Sequence, residues 1–188
     1  GIGAITANGG SSEVSGGGGR VALFYDELGA SGADFSGLRQ VTAYGGHSGV
    51  WGSAGSVLLK KSTQQYGDLY IDEGITTNLY RRWTPLTHLG FGKIKELTSD
   101  TITTYGNVAF VPSGLVGLKI NPDVNQELEF EVIANTLDSI VVAPSNGLSL
   151  LDVAAVGDTY AGVYRFDNLS IRGGAFMVLG DRVLVEDS

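Results

Sequence analysis

Cysteine is absent from the 188 residues, and that one absence removes disulfides, thiolate metal ligands and a cysteine nucleophile together. No apolar run approaches the roughly 20 residues a membrane-spanning helix requires, and no signal peptide stands at the start. Cations are scarce: 12 Lys and Arg against 20 Asp and Glu leave a formal charge of −8. Nucleic acid and anionic membrane surfaces both reward clustered Lys and Arg, so neither is an expected partner, and no membrane insertion is expected. Proline occurs only four times, at Pro85, Pro112, Pro122 and Pro144, all in the middle of the chain. No stretch keeps a 3.6-residue apolar period beyond a turn or two, which leaves little for helices.

Glycine is what the chain has in excess: 29 of 188 residues against a usual share of about 7 %. It has no collagen triplet period, and abundant aromatic and β-branched residues argue against disorder. Between the glycine clusters lie strand-like runs at Arg20–Tyr25, Gln40–Tyr44, Ser56–Lys60 and Asp68–Asp72. Near the end, Leu169/Ile171, Phe176/Val178 and Val183/Val185 form three short alternating runs separated by Gly-Gly and Gly-Asp turns. That pattern predicts a ribbon winding through stacked short strands, with the glycines at tight corners.

The middle of the chain differs in style. Glu127–Val132 alternates carboxylates with Leu128, Phe130 and Val132, as in a half-buried antiparallel strand. Turn residues at Asn135–Asp138 and a return at Ser139–Val142 predict a hairpin. Further strands are expected at Gly92–Leu97, Thr101–Tyr105, Val116–Ile120 and Leu150–Val153. The expected fold class is all-β: a partial parallel β-helix, or solenoid, interrupted by an inserted small antiparallel β-barrel, with a β-sandwich as the alternative. The expected parts are a glycine-rich β-helix-like segment over residues 1–83, the barrel over 84–162, and a β-helix-like continuation over 163–188. The chain opens on glycine rather than methionine and reads as a fragment of a longer protein.

The runs GGGGRVALFYD, VTAYGG, GSAGSVLLKK and YGDLYID, with GDTYAGVYRFDNLSIRGGA later, resemble segments of very large secreted or cell-surface bacterial proteins. Those are glycine-rich, adhesin-like chains containing parallel β-helix regions. The resemblance covers about half the chain, over Gly16–Asp72 and Gly157–Val185. It implies a secreted or cell-surface location and a structural or adhesive role; it carries over no catalytic residue.

The candidate sites each have an ordinary structural reading beside the functional one. Gly16–Gly19 precedes a strand and lacks a following Lys-Ser/Thr, so it reads as a β-corner rather than a phosphate loop. Asp26, Glu27 and Asp34 are the preferred Ca²⁺ ligands if the chain binds that ion, and Asp68, Asp72 and Glu73 form a second acidic group. Neither has EF-hand or β-roll spacing, and Asp at strand ends commonly caps turns, so no cofactor is required. His47 and His88 are too isolated for zinc, and His47 is expected to be exposed near Trp51. Thr101 and Thr103 occur without the repetition a water-ordering ladder needs. The densest cluster is Tyr80, Arg81, Arg82 and Trp83: arginine pairs with uronates and aromatic rings stack on sugars, although a packed domain junction would use the same residues.

The expected function is a non-catalytic spacer or adhesion module with possible glycan contact. Its expected partners are neighbouring domains of a longer chain, a carbohydrate or a cell-surface protein. The alternative is a polysaccharide-degrading β-helix enzyme or its carbohydrate-binding portion, with Lys60, Lys61, Asp68, Asp72 and Arg81 as candidate groups.

Overall fold

In the computed structural model, which describes residues 4–26, 40–74, 82–105 and 109–186, the N-terminal part is built on a repeat. Strands β1 (Ile5–Thr6) and β2 (Arg20–Tyr25) recur as β3 (Val41–Thr42) and β4 (Ser56–Lys61). The copies stack in parallel and in register: Ile5 lies opposite Val41, Arg20 opposite Ser56 and Tyr25 opposite Lys61. The offset is that of Asn8 and Tyr44, 36 residues apart, whose side chain and amide hydrogen-bond at 2.8 Å. At this offset Thr6, Ala7, Gly9, Gly10, Val14, Gly16, Gly19, Val21 and Leu23 meet the same residue types at Thr42, Ala43, Gly45, Gly46, Val50, Gly52, Gly55, Val57 and Leu59.

The glycines are not mainly corners. Segments 7–10, 15–19, 43–46 and 52–55 run side by side outside any strand and exchange backbone hydrogen bonds. Gly16 and Gly19 donate to Gly10 and Ala7; Gly52 and Gly55 donate to Gly46 and Ala43; Gly46 donates to Gly16. The bonding positions step by three, the period of a polyproline-II-type chain, which has no internal hydrogen bonds and must find partners in its neighbours. At several of these glycines the packing is too close for a side chain. A Cβ at Gly52 would fall on the Gly16 carbonyl oxygen, and one at Gly55 on that of Gly19.

The same unit contains β5 (Asp68–Asp72), β6 (Trp83–Pro85), β13 (Asn168–Arg172) and β14 (Phe176–Val178). β13 lies parallel on β5, with Leu169 opposite Leu69 and Ile171 opposite Ile71, and β14 lies parallel on β6. The order β13-β5-β4-β2 makes one four-stranded sheet. β4 and β5 pair antiparallel, so the strands do not all follow the uniform direction expected of a parallel coil. The three closing runs also do not stack on one another as expected. β13 pairs with β5, β14 with β6, and β15 (Arg182–Val185) with β12 (Thr159–Phe166). The turns between them are too short for a parallel crossover, which takes a dozen or more residues, so β13 and β14 find partners far back in the chain and β15 finds β12, beyond β13 and β14.

The two compact units are Gly1–Leu86 with Arg165–Val178 and Val185–Ser188, and Thr87–Tyr164 with Leu179–Leu184. The second is a closed six-stranded antiparallel β-barrel. Around it run β12, β7 (Phe91–Leu97), β8 (Thr101–Thr104), β11 (Ser139–Val142), β10 (Phe130–Asn135) and β9 (Lys119–Asn121). Closure falls on β12, whose Ala161 pairs with Phe91 on one side and Asn121 on the other. Ile94, Ile102, Ile120, Phe130, Val132, Ile140 and Tyr160 fill the interior. The hairpin predicted at Asn135–Asp138 forms between β10 and β11, beginning at Phe130 rather than Glu127. Leu150–Asp152 is a 3-10 turn rather than a strand: the Asp152 carboxylate accepts from the Ser149 amide and hydroxyl, and Leu150 is buried in the core.

Candidate functional site

Within the first unit, the turns that join the glycine segments lie side by side. Ser15 Oγ accepts from the Ser48 amide at 3.1 Å and donates to the Ser48 carbonyl at 2.7 Å, and Ser11 Oγ accepts from the His47 amide at 3.0 Å. The Val50 amide donates to the Glu13 carbonyl, and the Ser15 amide to that of Val50. Gly49 permits this turn at φ +53°, where a Cβ would collide with Glu13. The result presents Val14, 74 % exposed, beside Val50.

β6 is fastened to the same place. Thr84, buried between Trp83 and Pro85, donates its hydroxyl to the Ala54 carbonyl at 2.6 Å. Alternation along the strand then turns Trp83 outward, 65 % exposed. Val14, Val50, Trp51, Ser53, Arg82 and Trp83 line a cavity of about 510 Å³. Arg82 is its only charged lining residue among the described residues. Two indoles, the Ser53 hydroxyl and one guanidinium form a surface for a ring with an apolar face and an acidic or hydroxylated edge.

Behind Trp51 is a buried ionisable pair. The His47 ring meets that of Trp51 at 5.4 Å and 55°, and His47 Nε2 lies 3.4 Å from Glu73 Oε1. Glu73 is wholly buried, and neither of its carboxyl oxygens has a hydrogen bond of ordinary geometry. Burial pushes its pKa above the usual value; the Ala54 amide and His47 pull it back in part, and the Asp72 charge adds to the rise. His47, expected to be exposed, is held against this carboxyl with a quarter of its side chain accessible.

Of the residues expected to contact glycan, Arg82 and Trp83 come together on the cavity, whereas Tyr80 and Arg81 lie outside the described residues. Of the calcium candidates, Asp26 is exposed just after β2, whereas Glu27 and Asp34 lie outside the described residues. Glu73 does not join Asp68 and Asp72 at the surface, because its neighbours on β5 alternate and its own side chain points inward. Among the described residues no three of His, Cys, Asp or Glu are grouped to hold a metal ion. Among the described residues no helix is long and apolar enough to cross a membrane. Trp51, Val14 and Val50 entered the site without being expected there; the 36-residue match of Val14 to Val50 is the signal that would have placed the two turns together. No family model, curated protein or solved structure matches the chain.

Proposed function

We propose that this chain is a non-catalytic module of a large extracellular bacterial protein, a stiff spacer or adhesion segment that contacts glycans through the Trp51–Trp83 cavity. The observation that carries the reading is the pairing of an outward Trp83 with Trp51 and Arg82 around one cavity, on turns fixed by backbone hydrogen bonds. Indole faces cover the C–H face of a pyranose, and the single guanidinium favours an acidic sugar such as a uronate. Preformed walls reduce the entropy lost on binding.

The spacer half of the reading rests on in-register stacking. β1 and β2 on β3 and β4, and β5 and β6 under β13 and β14, are two pairs of rungs of the kind a short parallel coil would use. We therefore read the first unit as a partial β-helix from which the barrel is inserted, presented outside the cell to neighbouring domains, a carbohydrate or a cell-surface protein. The Glu73 carboxyl, sealed from solvent behind Trp51, cannot reach a glycosidic oxygen, which favours binding over cleavage.

A glycan array, followed by titration of the best acidic oligosaccharide against wild type and Trp83→Ala, tests the site. Trp83 is exposed, so its loss should leave the fold intact and weaken binding about tenfold or more. Binding that survives the substitution places the glycan elsewhere; no binding to any glycan removes the adhesive reading.

A further inference from the structure

A second cavity, of about 430 Å³, lies over the four-stranded sheet of the first unit, under the segment Val41–Tyr44. Its floor follows from strand register. Along β5 the side chains of Asp68, Tyr70 and Asp72 share one face, and Leu69 and Ile71 take the other. β13 sets Asn168, Ser170 and Arg172 beside them, position by position. On the other flank β4 sets Leu59 opposite Asp68 and Val57 opposite Tyr70. The floor is thus a polar strip against an apolar one, with Tyr25 and Tyr44 also on the walls.

Each polar group is held by one part of itself and presents another. Asp68 Oδ1 accepts from Gln64 Nε2 and Asn168 Nδ2, both at 2.9 Å. Asp72 Oδ1 accepts from the Gly74 amide at 2.8 Å. Arg172 donates through Nε to Ser170 Oγ at 2.7 Å, and its guanidinium lies 5.9 Å from the centre of the Tyr70 ring. The second carboxylate oxygens of Asp68 and Asp72 and the terminal nitrogens of Arg172 have no partner among the described residues. Acceptors and a donor aimed by supporting bonds, next to tyrosine and aliphatic surface, are the parts of a preorganised polar-ligand site.

We propose that this groove is a second carbohydrate site, selective for a neutral hexopyranoside. A neutral disaccharide offers a C–H face to Tyr70 and the Val57/Leu59 strip and hydroxyl donors from its separate rings to Asp68 and Asp72, which lie four residues apart on one strand, while Arg172 donates to a ring or hydroxyl oxygen. Two carboxylates exclude uronates by repulsion, the reverse of the preference that Arg82 gives the tryptophan cavity. The site does not depend on the tryptophan cavity being a glycan site.

The test is isothermal titration and ¹⁵N chemical-shift mapping of the whole chain with cellobiose, maltose, lactose and mannobiose, and with digalacturonate as the acidic counterpart. At least one neutral disaccharide is expected to saturate and to shift Tyr70, Asp72 and Arg172 amides. Asp72→Asn keeps the Oδ1 acceptor for Gly74 and should weaken that binding about tenfold. Arg172→Gln should weaken it similarly, and Trp83→Ala should leave it unchanged. No saturable binding of any neutral disaccharide, or binding indifferent to both Asp72→Asn and Arg172→Gln, overturns the proposal. Loss of digalacturonate binding in Trp83→Ala alone bears only on the other cavity.

Discussion

His47 Nε2 stands 3.4 Å from Glu73 Oε1, and the Glu73 carboxyl is sealed from solvent without a well-formed hydrogen bond to either oxygen. A buried carboxyl in that state favours its protonated form, so its pKa in the fold exceeds the 4.5 of an unperturbed glutamate. The folded protein then holds a proton that the unfolded chain releases more readily. Stability from this group is full below the unfolded value and is lost as pH rises through the raised one. Glu73→Gln has the same shape and no charge to lose. Its melting temperature should be close to that of wild type near pH 4 and should exceed it by a growing margin toward pH 8. A margin independent of pH would show that the carboxylate is stabilised by His47 as fully as it would be by water.

The glycine bundle makes a position-specific prediction. At Gly52 an added methyl meets the Gly16 carbonyl, which is backbone and cannot step aside, so Gly52→Ala should cost about 3 kcal/mol or more. Gly10 lies in the same bundle, yet a Cβ there meets nothing within 4 Å and its φ is not positive. Gly10→Ala should therefore be neutral or stabilising by up to about 1 kcal/mol, through the unfolded chain. Urea unfolding of the two variants checks the contrast; equal losses would mean that glycine is needed for flexibility rather than for close approach.

How much of this was readable beforehand depended on period. A two-residue alternation exposed β2 and β5 with the boundaries observed, and the Leu69/Ile71 and Leu169/Ile171 pattern matched rows that do pair in register. The barrel hairpin was readable for the same reason. The glycine segments read as corners in the sequence because neither the helix nor the strand period matches a period of three, and glycine carries no side chain to mark a face. Glu73 looked like a turn-forming acid at a strand end; only tertiary structure shows it inward against His47, from a turn 26 residues earlier in the chain. Trp83 was singled out for its chemistry, but Trp51 joined it through the Thr84 bond to Ala54, a contact between residues that nothing in their spacing links.

That bond predicts an effect at a distance. Thr84→Val keeps the shape of the side chain and removes the buried donor to the Ala54 carbonyl, at a cost of about 1 kcal/mol. Thr84 does not line the tryptophan cavity, but it holds Trp83 and Arg82 against the glycine segment that carries Trp51 and Ser53. Tryptophan fluorescence should become more accessible to acrylamide, and affinity for an acidic oligosaccharide should fall severalfold with the fold retained. Unchanged quenching with unchanged affinity would show that β14, paired along β6, is enough to position the strand.

In the barrel unit, Asp181 ties the chain after β14 to the loop before β7. Its two carboxylate oxygens accept from the Leu89 amide at 3.0 Å and the Gly90 amide at 2.5 Å. Gly162 makes room for it: a Cβ at that position would fall on the Asp181 carboxyl. Asp181→Ala leaves two amides without their acceptor and should cost about 1–3 kcal/mol for each that water does not reach. Gly162→Ala should be costly for a related reason, since it displaces the same carboxylate from the same amides. The two losses are then one event counted twice. The double variant should be less destabilised than the sum of the singles by at least about 1 kcal/mol, because with Asp181 shortened the new methyl has space. Strict additivity in urea unfolding would place the cost of Gly162→Ala in β12 itself, whose Gly162 amide donates to the Gly90 carbonyl at 2.7 Å, and not in the carboxylate.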